Sequence, residues 1–315
     1  VTRIAAVFPG QGSQSPGMLA ALADQWPEVE RTFSEASEVL GYDLWAVVRD
    51  NADDRLNRTE YTQPAMLAAD VAVARIWHAA GGPAPVLAAG HSLGEYAALV
   101  QAGVLEFTVA TRLVAERARL MQEAVPPGEG GMAAILGLDD DAVAAVCESV
   151  PTERIVEPVN YNAPGQVVIA GHADAVARAV EAARDAGARR AVDLPVSVPS
   201  HSSLMKDAAG ALAETLASAG FAVPAIPVVH NVDAATHDTP ESIREALQRQ
   251  LYNPVRWSES VHALQQAGAD VLVELGPGKV LTGLARRIDR SLAACAVEDP
   301  ASLQKALEQC GGGKA

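Results

Sequence analysis

Aromatic side chains are scarce: Phe, Tyr and Trp make up 4% of 315 residues. A core built around large rings is excluded, so alanine, valine and leucine must fill the interior of a chain that is still 49% apolar. There are three cysteines, Cys147, Cys295 and Cys310. An odd count at wide separations excludes a disulfide framework and gives no metal-ligand spacing, which points to a reducing, cytoplasmic setting. Basic residues are few, 24 Lys plus Arg against 39 Asp plus Glu, a net charge of −15. No broad phosphate-binding face is available, which argues against a nucleic-acid partner, and any acidic partner must find a local basic patch. Long hydrophobic runs are missing as well. Ile4 to Phe8 is too short for the apolar core of a signal peptide and nothing approaches a membrane span, so a soluble intracellular protein is expected. No internal repeat or low-complexity segment is found, and the length suits one large α/β domain, with or without a smaller insert.

What is there centres on Gly90-His91-Ser92-Leu93-Gly94. The apolar run Pro85 to Ala89 before it has strand character, and Glu95 to Val100 after it is a good helix former. A G-x-S-x-G between strand and helix is a nucleophile elbow, in which the turn is so sharp that glycine is needed on both sides and the serine hydroxyl stands at the top of a sheet. An ordinary strand-to-helix turn is the competing reading.

Upstream, Ile4 to Phe8 reads as a buried strand followed by the loop Pro9-Gly10-Gln11-Gly12-Ser13-Gln14. That loop lacks the Lys-Ser/Thr of a P-loop and the third glycine of a dinucleotide fingerprint, so an anion-stabilising loop beside the elbow fits better. Helices are expected over Met18 to Gln25, Pro27 to Leu40 and Gln63 to Ala79; Gln63 alone in them is open to a chemical role, and the helix-start reading is preferred. In the next helix, Phe107 to Ala124, Ala110, Leu113, Val114, Arg117, Ala118 and Met121 share one face at i, i+3, i+4 spacing, which turns Arg117 inward. A buried guanidinium needs an anionic partner. An internal salt bridge and a clamp for a substrate carboxylate both meet that need, and the pattern does not choose between them.

Pro126-Pro127-Gly128-Glu129-Gly130-Gly131 is the clearest linker. Beyond it come strand Met132 to Leu138, helix Asp140 to Ser149, strands Ile155 to Tyr161 and Gln166 to Ala170, helix Ala173 to Ala186 and strand Arg189 to Val196. This βαββαβ order is that of a ferredoxin-like unit, a small domain of about 70 residues inserted into a larger one. The expected organisation is an α/β fold: an α/β-hydrolase-like large domain over 1–127 and 200–310, a ferredoxin-like small domain over 128–199, and a disordered tail over 311–315. Helices at 204–219, 243–251, 258–268 and 280–288 and a buried strand at 271–275 complete the large domain.

A serine nucleophile needs a base within hydrogen-bond reach. Of the seven histidines, His91 adjoins Ser92 and reads as packed or hydrogen-bonded rather than as the base, while His78, His172, His237 and His262 lie on helices, a turn or a polar stretch. His201 and His230 remain, both at strand ends. The domain junction favours His201 without eliminating His230. The oxyanion donors of such a site are the N–H after the nucleophile and one from a neighbouring strand-end loop, which designates Leu93 and Gln11. No Asp or Glu stands in an obvious place to orient the base.

Seven stretches now stand in order: Phe8 to Gln14, Gly90 to Glu95, Arg117, Asn160-Tyr161-Asn162 with Pro164-Gly165-Gln166, Pro199-Ser200-His201, Gln250 to Pro254, and Glu274 to Gly278. Together the chain resembles the bacterial malonyl-CoA:acyl carrier protein transacylases over about Ile4 to Ile288. The resemblance implies a ping-pong transfer through a malonyl-Ser92 ester, from malonyl-CoA to the phosphopantetheine thiol of acyl carrier protein, in fatty acid synthesis. It implies His201 as base and acid, Gln11 and Leu93 as the oxyanion hole, Arg117 as the malonyl carboxylate ligand, and the Gln250 backbone carbonyl as the group orienting the histidine. Asn160, Asn162, His91 and Ser200 match family stretches near the cleft. Leu93 and Ser200 match the malonyl-type members, so methylmalonyl is expected to be a poor substrate. No permanently bound cofactor or metal is implied, and a monomer is expected. Arg189, Arg190 and Lys206 are candidates for docking the acidic carrier, with Lys279, Arg286 and Arg287 as a second cluster. A serine hydrolase or thioesterase and a non-catalytic carrier-binding protein are the rival readings.

Overall fold

The computed structural model describes residues 2–150, 153–196 and 198–311. From the N-terminus the chain runs through β1 (Ile4–Phe8), α1 (Ala20–Ala23), α2 (Glu28–Leu40), α3 (Leu44–Asp50), a 3-10 segment (Ala52–Asn57) and α4 (Thr59–Ala79). It continues with β2 (Leu87–Gly90), α5 (Gly94–Gln101), α6 (Phe107–Ala124), β3 (Gly130–Leu136), α7 (Asp140–Ser149), β4 (Val156–Ala163), β5 (Gln166–His172), α8 (Ala173–Asp185) and β6 (Arg190–Asp193). The last part holds α9 (Lys206–Ser218), β7 (Val228–Val229), α10 (Pro240–Gln250), α11 (Trp257–Gln266), β8 (Val271–Leu275), α12 (Val280–Ile288), β9 (Ala293–Val297) and α13 (Pro300–Cys310).

β1 is apolar at every position because both of its faces are covered, the pattern of a strand in a parallel sheet flanked by helices. It lies at the centre of a parallel sheet ordered β7-β2-β1-β8-β9. Ile4, Ala6 and Phe8 pack with Met66, Ala69 and Val73 of α4 and Leu113 and Val114 of α6. Ala5 and Val7 face the other way, onto Val261 and Leu264 of α11 and Leu281 and Leu284 of α12. The register sets Phe8 beside Gly90 and Val7 beside Glu274, so the loops after β1, β2 and β8 emerge at one end of the sheet. Ligands bind in such α/β sheets at that carboxyl end.

The second sheet is antiparallel, ordered β4-β5-β3-β6. Ala133, Ile135, Val167 and Ile169 meet Val143 and Val146 of α7 and Val176 and Val180 of α8 on one face. The other face carries Met132, Val159, Val168 and Ala170 and turns toward the strand-end loops of the parallel sheet. Backbone bonds of 2.9 Å from Tyr161 N to Val255 O and from Val255 N to Val159 O join the two regions.

Elements with strong patterns occur where the sequence implies them: β1, α6, α7, β8 and α12 match residue for residue. α3, β9 and α13 were not expected. α4 starts four residues earlier than expected, so Gln63 is not a helix-start residue but lies in the second turn, buried. Gly311 is not part of a disordered tail; with φ +78° it closes α13. The rest of that expected tail lies outside the described residues.

Candidate active site

The turn between β2 and α5 is built on close backbone approach. A Cβ on Gly90 would fall 1.9 Å from the Gly94 carbonyl oxygen, and one on Gly94 would fall 2.1 Å from that of Phe8. Ser92 between them has φ +51°, a left-handed conformation that costs a non-glycine residue energy and must be held by its surroundings. Asn231, just after β7, holds it: its side-chain oxygen accepts from Ser92 N at 2.7 Å and its amide donates to Gly90 O at 2.7 Å.

His201 is brought to Ser92 from the loop before α9. Its Nε2 is 2.7 Å from Ser92 Oγ and its Nδ1 is 2.7 Å from the backbone oxygen of Gln250, at the end of α10. A carbonyl can only accept, so Nδ1 carries the proton and Nε2 is free to accept from the serine hydroxyl. Burial, and then the charge of Arg117, pull the imidazole down to about 3, which keeps it neutral. His230, the alternative base, is occupied elsewhere, with Nδ1 2.7 Å from Glu95 Oε1.

Arg117 reaches the same spot from α6 and is 1% exposed. Its Nη1 donates to Gln63 Oε1 at 2.6 Å, and its Nη2 to Ser92 Oγ at 3.2 Å and Gln250 Oε1 at 3.1 Å. Nε has no hydrogen-bond partner among the described residues. Among those residues no ion pair engages the guanidinium, so the salt-bridge reading does not hold. The direct acceptors of this buried cation beside Ser92 are all neutral, an arrangement suited to receiving an anion. The helix-start reading of Gln63 does not hold, and the residue stands with the site groups; a single glutamine in a mostly apolar helix carries no sequence signal of the arginine it meets.

A cleft of about 260 Å³ lies over these groups, between the elbow and the open face of the antiparallel sheet. Gln11, Leu93, Asn160, Asn162, His91 and Ser200 all line it. Among the described residues neither Gln11 N–H nor Leu93 N–H meets a protein acceptor. His91 Nε2 is 2.7 Å from Asn162 Oδ1, and its ring packs near Trp257, which agrees with a packed, hydrogen-bonded role. The side-chain oxygen of Asn160 is buried without a partner among the described residues. A larger groove of about 590 Å³, near Arg31, Arg75 and Trp77, is lined by no serine, and Glu35 on its wall is paired with Arg75 at 2.9 Å. Among the described residues no group of three or more His, Cys, Asp and Glu is placed to hold a metal, and no helix is long and apolar enough to cross a membrane.

Arg189, Arg190, Lys206, Lys279, Arg286 and Arg287 are all exposed. Lys279 pairs with Glu298 at 2.5 Å. Arg190 pairs with Leu136 across the antiparallel sheet, Leu136 pairs with Gln166, and Gln166 accepts from Arg287 Nη1 at 3.2 Å. The two basic clusters thus meet in one row, along which Gln166 lines the cleft.

Comparison with known proteins extends this picture over nearly the whole chain. The family model for the acyl transferase domain matches residues 6–303. The malonyl CoA-acyl carrier protein transacylase of Escherichia coli strain K12 is 55% identical over 308 residues, covering 98% of this chain and 100% of that protein. The Bacillus subtilis protein of the same name is 43% identical over 309 residues, covering 98% and 97%. Among solved structures, a type II PKS acyl carrier protein in complex with its malonyl-transacylase superposes with a TM-score of 0.96 at 56% identity, covering 98% of this chain and 100% of that one. An acyl carrier protein S-malonyltransferase from Vibrio cholerae gives 0.93 at 56% identity, covering 96% and 99%.

Proposed function

The chain belongs to the acyl transferase domain family, and we propose that it moves a malonyl group from coenzyme A to the phosphopantetheine thiol of acyl carrier protein in fatty acid synthesis, acting in the cytoplasm. The observation that carries the substrate choice is Arg117: a buried guanidinium with no carboxylate partner among the described residues, 3.2 Å from Ser92 Oγ.

In the first half-reaction Ser92 Oγ attacks the thioester carbonyl and its proton passes to His201 Nε2. The resulting imidazolium is held by the Gln250 carbonyl, and the tetrahedral oxyanion takes the N–H groups of Gln11 and Leu93. Collapse breaks the C–S bond, the proton on His201 goes to the departing coenzyme A sulfur, and malonyl-Ser92 remains. In the second half-reaction the pantetheine thiol gives its proton to His201 and attacks the ester; the proton returns to Ser92 Oγ as the product thioester leaves. Throughout, the malonyl carboxylate accepts from Arg117 in place of a resting acceptor. A plain acyl chain leaves that buried donor unpaired, which is the basis for preferring malonyl over acetyl. The partnerless Asn160 oxygen is suited to accept a pantetheine amide N–H. Leu93 and Ser200 border the acyl position and disfavour methylmalonyl.

The order and pairing of the antiparallel strands support a ferredoxin-like small domain over 128–199, inserted into an α/β-hydrolase-like large domain over 1–127 and 200–310. For the acidic carrier, the row joining Arg190 to Arg287 is the docking patch we favour, with Arg189, Arg286 and Lys206 at its margins.

Intact-mass spectrometry after mixing with malonyl-CoA tests the reading, with Ser92→Ala in parallel and phosphopantetheinylated carrier added afterwards. A malonyl adduct absent from Ser92→Ala that leaves onto the carrier is expected. An adduct lost equally fast without carrier would identify a hydrolase, and no adduct would exclude the covalent route.

A further inference from the structure

Beneath the nucleophile lies a carboxylate that the transfer chemistry leaves unused. Glu95 is fully buried in the first turn of α5, where the helix N-terminus favours negative charge. Its Oε1 is 2.7 Å from His230 Nδ1. Its Oε2 accepts from Asn231 N at 3.0 Å and from Gln250 Nε2 at 2.9 Å. His230 Nε2 is buried without a partner among the described residues. A bare lone pair there costs less than an orphaned N–H, so His230 fits as the neutral Nδ1–H tautomer donating to Glu95.

The two residues held by Oε2 are those that grip the elbow. Asn231 binds Ser92 N and Gly90 O through its side chain, while Gln250 donates to Ser92 O at 3.0 Å, accepts from Arg117, and turns its backbone oxygen to His201. One carboxylate therefore ties together the supports of the nucleophile, the base and the arginine. Without it, Asn231 N is an unpaired buried donor, Gln250 Nε2 loses one of its two acceptors, and Ser92 relies on looser supports to keep its left-handed backbone.

We propose that Glu95 is a positioning residue for acyl transfer, acting through Asn231 and Gln250 to hold Ser92 in line with His201. The inference rests on the proposed acylation of Ser92. Its signature is a loss in rate without a loss in substrate affinity, because no atom of Glu95 reaches the cleft.

The test is the rate of malonyl-Ser92 formation against malonyl-CoA concentration, followed by rapid-quench intact mass on the full chain. Glu95→Met, similar in length but with no comparable acceptor, is expected to lower the maximal rate about 100-fold, the scale of an angstrom-level misplacement, with the half-saturating concentration kept within about threefold. Glu95→Gln is expected to recover to within about tenfold of wild type, because its amide oxygen can face Asn231 and Gln250 while His230 moves its proton to Nε2. A near-wild-type maximal rate in Glu95→Met, a loss confined to half-saturation, or a Glu95→Gln variant as slow as Glu95→Met would each overturn the proposal. Should Glu95→Met not fold by circular dichroism, Glu95→Asp keeps the charge but shortens the reach; a slowed maximal rate is expected, and an unchanged one overturns the proposal. Wild type run in parallel separates the two questions: if it forms no adduct, the acylation reading fails, not the role of Glu95 alone.

Discussion

His201 and Arg117 act on each other as well as, in the proposed transfer, on substrate. The cationic guanidinium disfavours a second positive charge on the imidazole, and burial acts in the same direction more strongly. His201 is therefore a ready proton acceptor across the neutral range, and the acid limb of kcat/KM for acylation is expected well below the ordinary histidine value. Removing the guanidinium removes one of the causes that lower it. In Arg117→Met the acid limb therefore moves to higher pH, while kcat/KM for malonyl-CoA falls about 100-fold, the scale of deleting one partner of a buried charge pair. Acetyl-CoA, with no carboxylate to lose, changes by less than about tenfold. Rates of enzyme acylation with both donors, from about pH 4 to about pH 8, check the shift and the selectivity together; an unmoved limb, or equal losses for both donors, contradicts the coupling. At this scale the inward turn of Arg117 was legible from helical phase. Its partners were not: Gln63, Gln250 and Ser92 converge from three separate elements, and periodicity within one helix carries no information about another.

Among the elements, α4 holds the least comfortable residue of the core. Asp70 is fully buried with neither carboxylate oxygen hydrogen-bonded among the described residues. Burial first, and Glu274 second, push its carboxyl well above the usual range. Glu274 has better support as an anion, since it accepts from Leu281 N, Thr282 N and Thr282 Oγ1 at the start of α12. Asp70 is thus the member of the pair that stays protonated. Over the window from the unfolded carboxylate value up to its raised folded value, the folded state binds more protons than the unfolded one, so stability falls as pH rises. Asp70→Asn deletes that dependence: the difference in melting temperature, variant minus wild type, is expected to grow more positive from about pH 4 to about pH 7. Calorimetric melts across that range check the slope, and a flat difference rejects it. A Cβ on Gly276 would fall 2.2 Å from Asp70 Oδ1, so the turn after β8 admits only glycine over this carboxyl. Legibility varied among elements for similar reasons of packing. β1 and β8, buried on both faces, and α6, with a clean amphipathic stripe, announce themselves. β9 is an alanine-rich edge strand whose first residues are only half-buried, and α3 has seven residues, too few for a secure period.

For the whole molecule, the difficulty is charge. A chain of net −15 repels an acidic carrier at long range, so docking depends on where its few cations stand relative to the cleft. Sequence order separates Arg190 from Arg287 by almost a third of the chain and offered them as parts of rival clusters. The antiparallel sheet joins them, because Arg190, Leu136 and Gln166 are successive cross-strand partners and Arg287 donates to Gln166. Lys279 contributes less, since Glu298 neutralises it. Reversing both arginines, Arg190→Glu with Arg287→Glu, is expected to raise KM for the carrier about tenfold at low ionic strength, with the gap closing as salt screens the encounter. Malonyl-CoA presents far less negative surface than a folded acidic protein, so its KM moves by a smaller factor. Initial rates of each half-reaction over a salt series measure both terms. Equal increases for the two substrates would assign the row to the coenzyme A phosphates, and no increase for either would place carrier docking on another face. A carrier-specific, salt-sensitive increase is what a basic row on a strongly acidic enzyme requires, because local attraction then has to overcome the repulsion of the whole.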